Sequence, residues 1–285
     1  MRSRRSALLR ALVLPALAHL LLLQACALSA PPAESLLAGA AATAAVDPAM
    51  AELDQLANSA LQRSRDALTD FDQALVAASL LFQAADARMQ RATLAVLLDN
   101  AKPDVSTILG LDARIGDPSR TEILSLATAG LEVSKRAVAA DPARAAAQLQ
   151  LALHLSLVSW ANGAARSLFA GYGPRLVDAI DCAIAADATI DGGAPLRLQG
   201  RFRSQAPWPY RDLALARSVL SRAVEFAPIV VNHLFLGDAL WLDGEEAAAI
   251  AQWQAATMAN GSESTRWSDE LLRELAKARL AAAGK

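Results

Sequence analysis

The stretch LGDALWLDGEEAAAIAQWQAA, residues 236–256, decides the fold. Its spacing is typical of the tetratricopeptide repeat, in which two consecutive helices form a hairpin. Two helices approach closely only where a facing side chain is small, and a bulky residue between two alanines fills the remaining space. The residues that occupy the diagnostic places are, in order, Leu236, Gly237, Gly244, Ala249, Trp253 and Ala256.

Three earlier segments repeat the second-helix pattern of small and large residues. The late small residue of each copy is Ala137, Ala183, Ala223 or Ala256, at intervals of 46, 40 and 33 residues. A regular array would keep an interval of about 34, so the earlier repeats carry insertions. Insertions in such arrays often form binding surfaces.

The predicted fold is therefore all-α, with tetratricopeptide-like helical-hairpin repeats that form a right-handed α-solenoid around a concave cleft or pore. The repeat domain covers 47–285, with repeats at about 119–142, 143–188, 194–228 and 230–260 and a C-terminal helix at 266–283. Before the repeats, apolar periodicity predicts helices over 48–66, 70–98 and 105–109. The glycines of 191–193 predict a turn, and 110–118 is expected to be a loop.

The N-terminus predicts a lipid anchor. Residues 1–25 have a basic start and an apolar run, as a secretory signal does, and the small Ala25 precedes Cys26. Cys26 is the expected lipidation site of a bacterial lipoprotein, and the alternative is an ordinary cleaved signal with an incidental Cys. Residues 26–46 are rich in Ala and Pro and predict a flexible tether. Ala27 after the Cys favours the periplasmic side of the outer membrane over the inner membrane.

Composition narrows the function classes. The formal charge is −2, and because residues 1–25 hold four Arg and no acid, their removal would leave −6. An acidic body argues against binding to nucleic acid. Apart from Cys26, the sequence has one cysteine, Cys182. Cys182 lies in an apolar helical segment, so we expect it to be a small buried side chain.

The sequence does not predict an enzyme. Beyond the signal it has two histidines, His154 and His233, no phosphate-binding glycine loop after a strand, and no metal-ligand spacing. No cofactor and no metal are therefore expected.

Several residues could serve binding. Arg197 and Arg201 lie one turn apart on a helix, so both guanidinium groups share a face, and paired arginines suit a carboxylate or an acidic partner surface. Each of these residues could instead have a structural role. The arginines could form ion pairs within the protein, His233 could form local hydrogen bonds at the start of its helix, and Trp208 could fold back between helices. The candidate ligand- or partner-binding residues are Trp160, Arg166, Tyr172, Arg197, Arg201, Trp208, Tyr210, Asn232 and His233.

Four segments together resemble a known family. They are DGGAPLRLQGR at 191–201, APWP at 206–209, Ala223-Val224 with Pro228, and NHLFL at 232–236. The chain over about 132–256 resembles the T-component family, periplasmic tetratricopeptide-like lipoproteins that accompany TRAP-type solute transporters. The resemblance implies an all-α protein around a cleft or pore, a solute-binding protein as partner, and a homo-oligomer as one assembly.

Two functions remain as hypotheses. The first is an accessory component of a TRAP-type transport system that docks a solute-binding protein and binds a small organic or hydrophobic ligand. The second is a repeat scaffold lipoprotein of envelope or outer-membrane biogenesis that mediates contacts between proteins.

Overall fold

The structure is a computed structural model that describes residues 48–66, 70–100 and 103–284. Within these ranges it has twelve α-helices and no strand, so the predicted all-α class is confirmed. An isolated bridge joins Ile229 and Asn260. The helices are α1 (Pro48–Asp66), α2 (Phe71–Leu98), α3 (Val105–Leu109), α4 (Asp117–Ala140), α5 (Ala145–Asn162), α6 (Ala164–Phe169), α7 (Tyr172–Asp187), α8 (Ile190–Gln205), α9 (Leu213–Phe226), α10 (Val230–Leu242), α11 (Glu246–Met258) and α12 (Asp269–Ala282).

Side chains at the helix starts explain several boundaries. Asp70 precedes α2, and its Oδ1 accepts a hydrogen bond of 3.0 Å from the backbone N–H of Gln73. Asp212 precedes α9 and accepts from the backbone N–H of Leu215 at 2.9 Å. Each carboxylate satisfies a donor that the first helical turn leaves without a partner.

A left-handed turn interrupts the start of α8. Asp191, Gly192 and Gly193 have φ values of 56°, 65° and 79°, and regular helix resumes at Ala194. Two of the three positions are glycine, which adopts positive φ without a Cβ clash. The turn predicted at 191–193 is present, and it places Arg197 one turn into the regular part of the helix.

Two local expectations were wrong. Cys182 is exposed rather than buried, because the buried face of α7 consists of Leu176, Ala179, Ile180 and Ala183. The expected loop 110–118 contains a 3₁₀ helix over Leu111–Arg114 and the start of α4.

Five helices contact one another in a closed circuit. In order these are α2, α5, α8, α10 and α12, and α12 returns to pack against α2. The helices between them in sequence pack against members of this circuit: α4 against α2 and α5, α7 against α5, α9 against α8, and α11 against α10.

Close contacts between helices depend on small residues. A Cβ on Gly237 in α10 would lie 2.5 Å from Cδ1 and Nε1 of Trp253 in α11. Trp253 is completely buried, between Ala249 and Ala256, which are also buried. The glycine therefore admits the indole ring, as the spacing of the opening stretch predicts.

In residues 48–66, 70–100 and 103–284, every helix is too short or too polar to cross a lipid bilayer. The predicted signal peptide at 1–25, the lipidation site Cys26 and the tether at 26–46 lie outside the described residues.

Candidate functional site

The five helices of the circuit enclose a cavity. Its volume is ≈ 150 Å³, and apolar side chains such as Phe82, Leu157 and Leu234 form much of its wall. Polar and charged side chains enter it from α2, α5, α8 and α12. They include Asp86, Gln150, Arg197, Arg201 and Arg279.

Arg197 is held in place by Asn232. Its Nη1 donates to Asn232 Oδ1 at 2.9 Å and to the carbonyl of Gly192 at 3.4 Å. The other nitrogens, Nε and Nη2, form no hydrogen bond with described residues, so they are free for a ligand. Burial lowers the pKa of the Arg197 guanidinium to about 10, against the opposing effect of the nearby carboxylates. The group thus keeps its positive charge at neutral pH.

Asn232 is itself completely buried and supports the turn before α8. Its Nδ2 donates to the carbonyls of Gly192, Ala223 and Ala227 at 2.9, 3.0 and 2.8 Å. One amide group therefore joins α8, α9 and α10, and its oxygen orients Arg197. Asn232 does not line the cavity itself. Its contribution is to orient Arg197, which does.

Arg201 and Arg279 share the buried carboxylate of Asp238. Arg201 Nη1 lies 3.2 Å from Asp238 Oδ2, and the guanidinium also lies 4.9 Å from the centre of the Phe235 ring. Arg279 Nε donates to Oδ1 at 2.6 Å, and Trp253 Nε1 donates to the same oxygen at 3.1 Å. Two cations and one anion leave this cluster with a net positive charge beside the cavity.

Asp86 brings a carboxyl group into the same cavity from α2. Gln90 Nε2 donates to its Oδ1 at 3.0 Å. Burial raises the pKa of the Asp86 carboxyl above its ordinary value, while hydrogen bonds from Gln90 and Ser268 and the charge of Arg197 oppose the shift.

Gln150 supplies a buried amide from α5. The side chain is 7 % exposed, and its Oε1 has no hydrogen-bond partner among the described residues. Buried polar atoms in proteins almost always have partners. An orphan acceptor in the wall of a cavity therefore indicates that a ligand or water donates to it.

Of the residues predicted from the sequence, Arg197 and Arg201 line the cavity. Arg201 forms the structural ion pair that was the alternative, and it faces the cavity as well. His233 lies on α10 outside the cavity, where its Nδ1 donates to Gln252 Oε1 at 2.8 Å. Trp160 packs beneath the guanidinium of Arg120, whose carbon lies 4.9 Å from the ring centre.

The remaining predicted residues lie on two neighbouring surface segments, 163–175 and 206–211. Trp208 is 88 % exposed, so it does not fold back between helices. Tyr210 packs against the backbone of Gly173, where an added Cβ would lie 2.7 Å from its hydroxyl, and this contact joins the two segments. Tyr172 is half-buried at the start of α7. Arg166 is exposed, with Nη1 3.4 Å from Asn162 Oδ1.

Sequence reasoning missed Asp86, Gln150, Asp238 and Arg279. A signal was present for two of them. Arg279 falls on the buried face of α12 with Leu272, Leu275 and Ala276, and Asp238 is the one carboxylate in the apolar helix α10. A charged residue on a buried helix face needs a partner, so both positions were candidates for a charged interior.

In the described part of the chain, no group of three or more His, Cys, Asp or Glu side chains could hold a metal ion. Comparison with known proteins finds no protein-family model that matches this chain and no significant match among curated proteins.

Proposed function

We propose that this chain is a non-catalytic binding protein, a tetratricopeptide-like array whose inner helices hold a small organic acid. The observation that carries the proposal is the position of Arg197 and Arg201, which line one cavity from successive turns of α8. Guanidinium groups in a partly apolar cavity bind carboxylates strongly, because water competes less there than at the surface.

The repeat arrangement is supported by two equivalent contacts. A Cβ on Gly200 in α8 would lie 2.3 Å from Leu220 Cγ in α9, as one on Gly237 would meet Trp253. Leu220 is preceded by Ala216 and followed by Ala223, and all three are buried. The small-large-small pattern thus packs against a glycine of the preceding helix in both hairpins.

The size of the cavity limits the ligand. A cavity of ≈ 150 Å³ is comparable to an engineered protein cavity that admits benzene, a molecule of six heavy atoms. The ligand we propose is therefore a short-chain acid, with its carboxylate on Arg197 and its hydrocarbon part against Phe82 and Leu157.

A partner surface accompanies the cavity. Phe169 and Trp208 are 75 % and 88 % exposed, on the two segments that Tyr210 joins. These segments also hold Arg166, Arg175 and Arg211 and contain no acidic residue. Trp and Arg are the residues that most often dominate protein interfaces. In our proposal an acidic face of a periplasmic solute-binding protein docks here.

In full, we propose a T-component-like lipoprotein, anchored by Cys26 on the periplasmic side of the outer membrane, that cooperates with a TRAP-type solute-binding protein. The motivating observation is the series of motifs from Asp191 to Leu236. A scaffold of envelope biogenesis is the second candidate, because the exposed Trp208 favours a protein contact whether or not a solute is transported.

Titration calorimetry with butyrate tests the cavity. We expect the full-length chain to bind butyrate, Arg197→Gln to lose about tenfold or more in affinity, and the exposed Arg222→Gln control to bind as the parent does. Absence of binding by butyrate and by every other short-chain carboxylate tested on the parent chain would overturn the proposed solute site.

Binding of a purified solute-binding protein from the same organism tests the docking surface. Trp208→Ala is expected to weaken the complex at least tenfold, as truncation of a central interface Trp does. An unchanged affinity would remove this surface from the proposal. A parent chain that binds no solute-binding protein but binds an outer-membrane assembly factor would favour the scaffold.

A further inference from the structure

The cavity holds an acid and a base that do not pair with each other. Asp86 enters from α2 and Arg197 from α8, and both line the same space. The direct partners of both groups are neutral: Gln90 and Ser268 for Asp86, and Asn232 with a backbone carbonyl for Arg197. Asp86 and Arg197 form no ion pair with each other or with any other described residue.

The neighbouring cluster shows that helices of the same circuit do form direct ion pairs. Arg279 and Arg201 both contact Asp238, at 2.6 and 3.2 Å. Asp86 and Arg197 are different, because each is held by neutral partners and remains separate from the other. Separated opposite charges in a cavity are complementary to a ligand that itself carries two opposite charges.

Burial acts against the charged form of both groups. It raises the pKa of Asp86 and lowers the pKa of Arg197 to about 10. A cation beside Asp86 and an anion beside Arg197 would each favour the ionised form. A single zwitterionic ligand would supply both the cation and the anion.

Gln150 adds an independent observation. Its buried Oε1 lacks a donor, and α5, which carries it, packs directly against α2, which carries Asp86. A simple carboxylate has no donor for this oxygen. An ammonium group has three N–H donors and can satisfy Gln150 and Asp86 together.

We propose that the cavity selects a small amino acid, whose ammonium donates to Asp86 and Gln150 and whose carboxylate accepts from Arg197. This inference rests on the proposed solute site and specifies its ligand. The volume of ≈ 150 Å³ limits the ligand to a short side chain, about six to eight heavy atoms in all.

The test compares three probes with related carbon skeletons: L-2-aminobutyrate, butyrate and propylamine. Titration calorimetry on the full-length chain should give an affinity for aminobutyrate about tenfold or more above that for butyrate, since a charge-assisted hydrogen bond is added. Propylamine, which lacks the carboxylate, should bind more weakly than either acid.

Asp86→Asn should remove the advantage of aminobutyrate and leave butyrate binding in place. The exposed Asp178→Asn is the matched control and should behave as the parent. If Asp86→Asn does not fold, as judged by circular dichroism, Gln150→Leu serves in its place, with a several-fold loss for aminobutyrate alone.

The outcomes separate the inference from the function on which it rests. Equal binding of butyrate and aminobutyrate, both lost in Arg197→Gln, would overturn the amino acid and leave the solute site standing. An unchanged preference for aminobutyrate in a folded Asp86→Asn would also overturn the assigned contact. Absence of binding by both acids would overturn the solute site itself.

Discussion

Arg279 and Asp238 form a two-pronged ion pair between the last helix and α10: Nε donates to Oδ1 at 2.6 Å and Nη2 to Oδ2 at 3.0 Å. The two residues are 41 positions apart, and both side chains are almost completely buried. Since α12 also packs against α2, this pair holds the helix that closes the circuit around the cavity.

Removal of the Asp238 charge should destabilise the fold. Asp238→Asn would leave Arg279 buried without an anion, and loss of one partner of a buried ion pair costs about 3–5 kcal/mol. Urea denaturation measures the change. The control is Asp243→Asn, which removes an exposed pair with Arg217 at 2.8 Å and should cost about 1 kcal/mol or less. Equal midpoints for the two variants would contradict the role of Asp238.

The contact between Gly237 and Trp253 predicts an unusual response to alanine. Ala favours a helix over Gly by about 1 kcal/mol, yet the added Cβ would lie 2.5 Å from the indole ring. We expect Gly237→Ala to lower the free energy of unfolding by about 1–3 kcal/mol. Gly110→Ala is the control, because its nearest neighbours lie 3.9 Å away. A stabilised Gly237→Ala would show that the two helices are not in close contact.

His154 predicts a dependence of stability on pH. It is completely buried on α5, and its Nε2 donates to the Ala78 carbonyl at 3.0 Å. Burial lowers its pKa from 6.5 to about 4. As pH falls below 6.5 the unfolded chain takes up a proton first, so stability present at neutral pH is lost progressively down to pH 4, by about 3 kcal/mol in all.

The measurement is urea denaturation of the parent and of His154→Gln at several pH values. The difference between their stabilities should shrink, or reverse in favour of Gln, as pH falls from 6.5 to 4. A difference that stays constant over this range would mean that His154 is protonated in the folded protein as readily as in the unfolded chain.

Asn232 should affect both stability and binding. Asn232→Ala removes one acceptor for Arg197 and three hydrogen bonds to carbonyls, and the unsatisfied buried groups should cost about 2–4 kcal/mol. Butyrate affinity should fall as well, because Arg197 loses its orientation. The control Asn58→Ala, on the exposed face of α1, should change neither. Unchanged butyrate affinity in a folded Asn232→Ala would contradict its positioning role.

Local sequence patterns predicted the helices well, because the residues that start or end a helix lie within a few positions of the helix boundary. The glycines at 192 and 193 predicted the turn that precedes the regular part of α8. The prediction that Cys182 is buried was wrong, because an apolar sequence context does not reveal which face of a helix is buried. The buried face of α7 follows a helical spacing, and Cys182 lies outside it; its members are Leu176, Ala179, Ile180 and Ala183.

The sequence predicted some of the charged residues that line the cavity and missed others, for a physical reason. Arg197 and Arg201 share one helix, so their spacing alone places them on a common face. Asp86, Gln150 and Arg279 lie on helices far apart in sequence, and no local pattern states that α12 packs against α2. The closed circuit, which brings these groups together, is a long-range property of the fold.

The most direct test of the account is a crystal of the full-length chain soaked in 2-bromobutyrate, with the bromine located by its anomalous scattering. We predict one bromine site inside the circuit of five helices, with the carboxylate within hydrogen-bond distance of Arg197 Nε or Nη2. Bromine sites confined to the outer surface, with the cavity filled by water alone, would contradict the central claim.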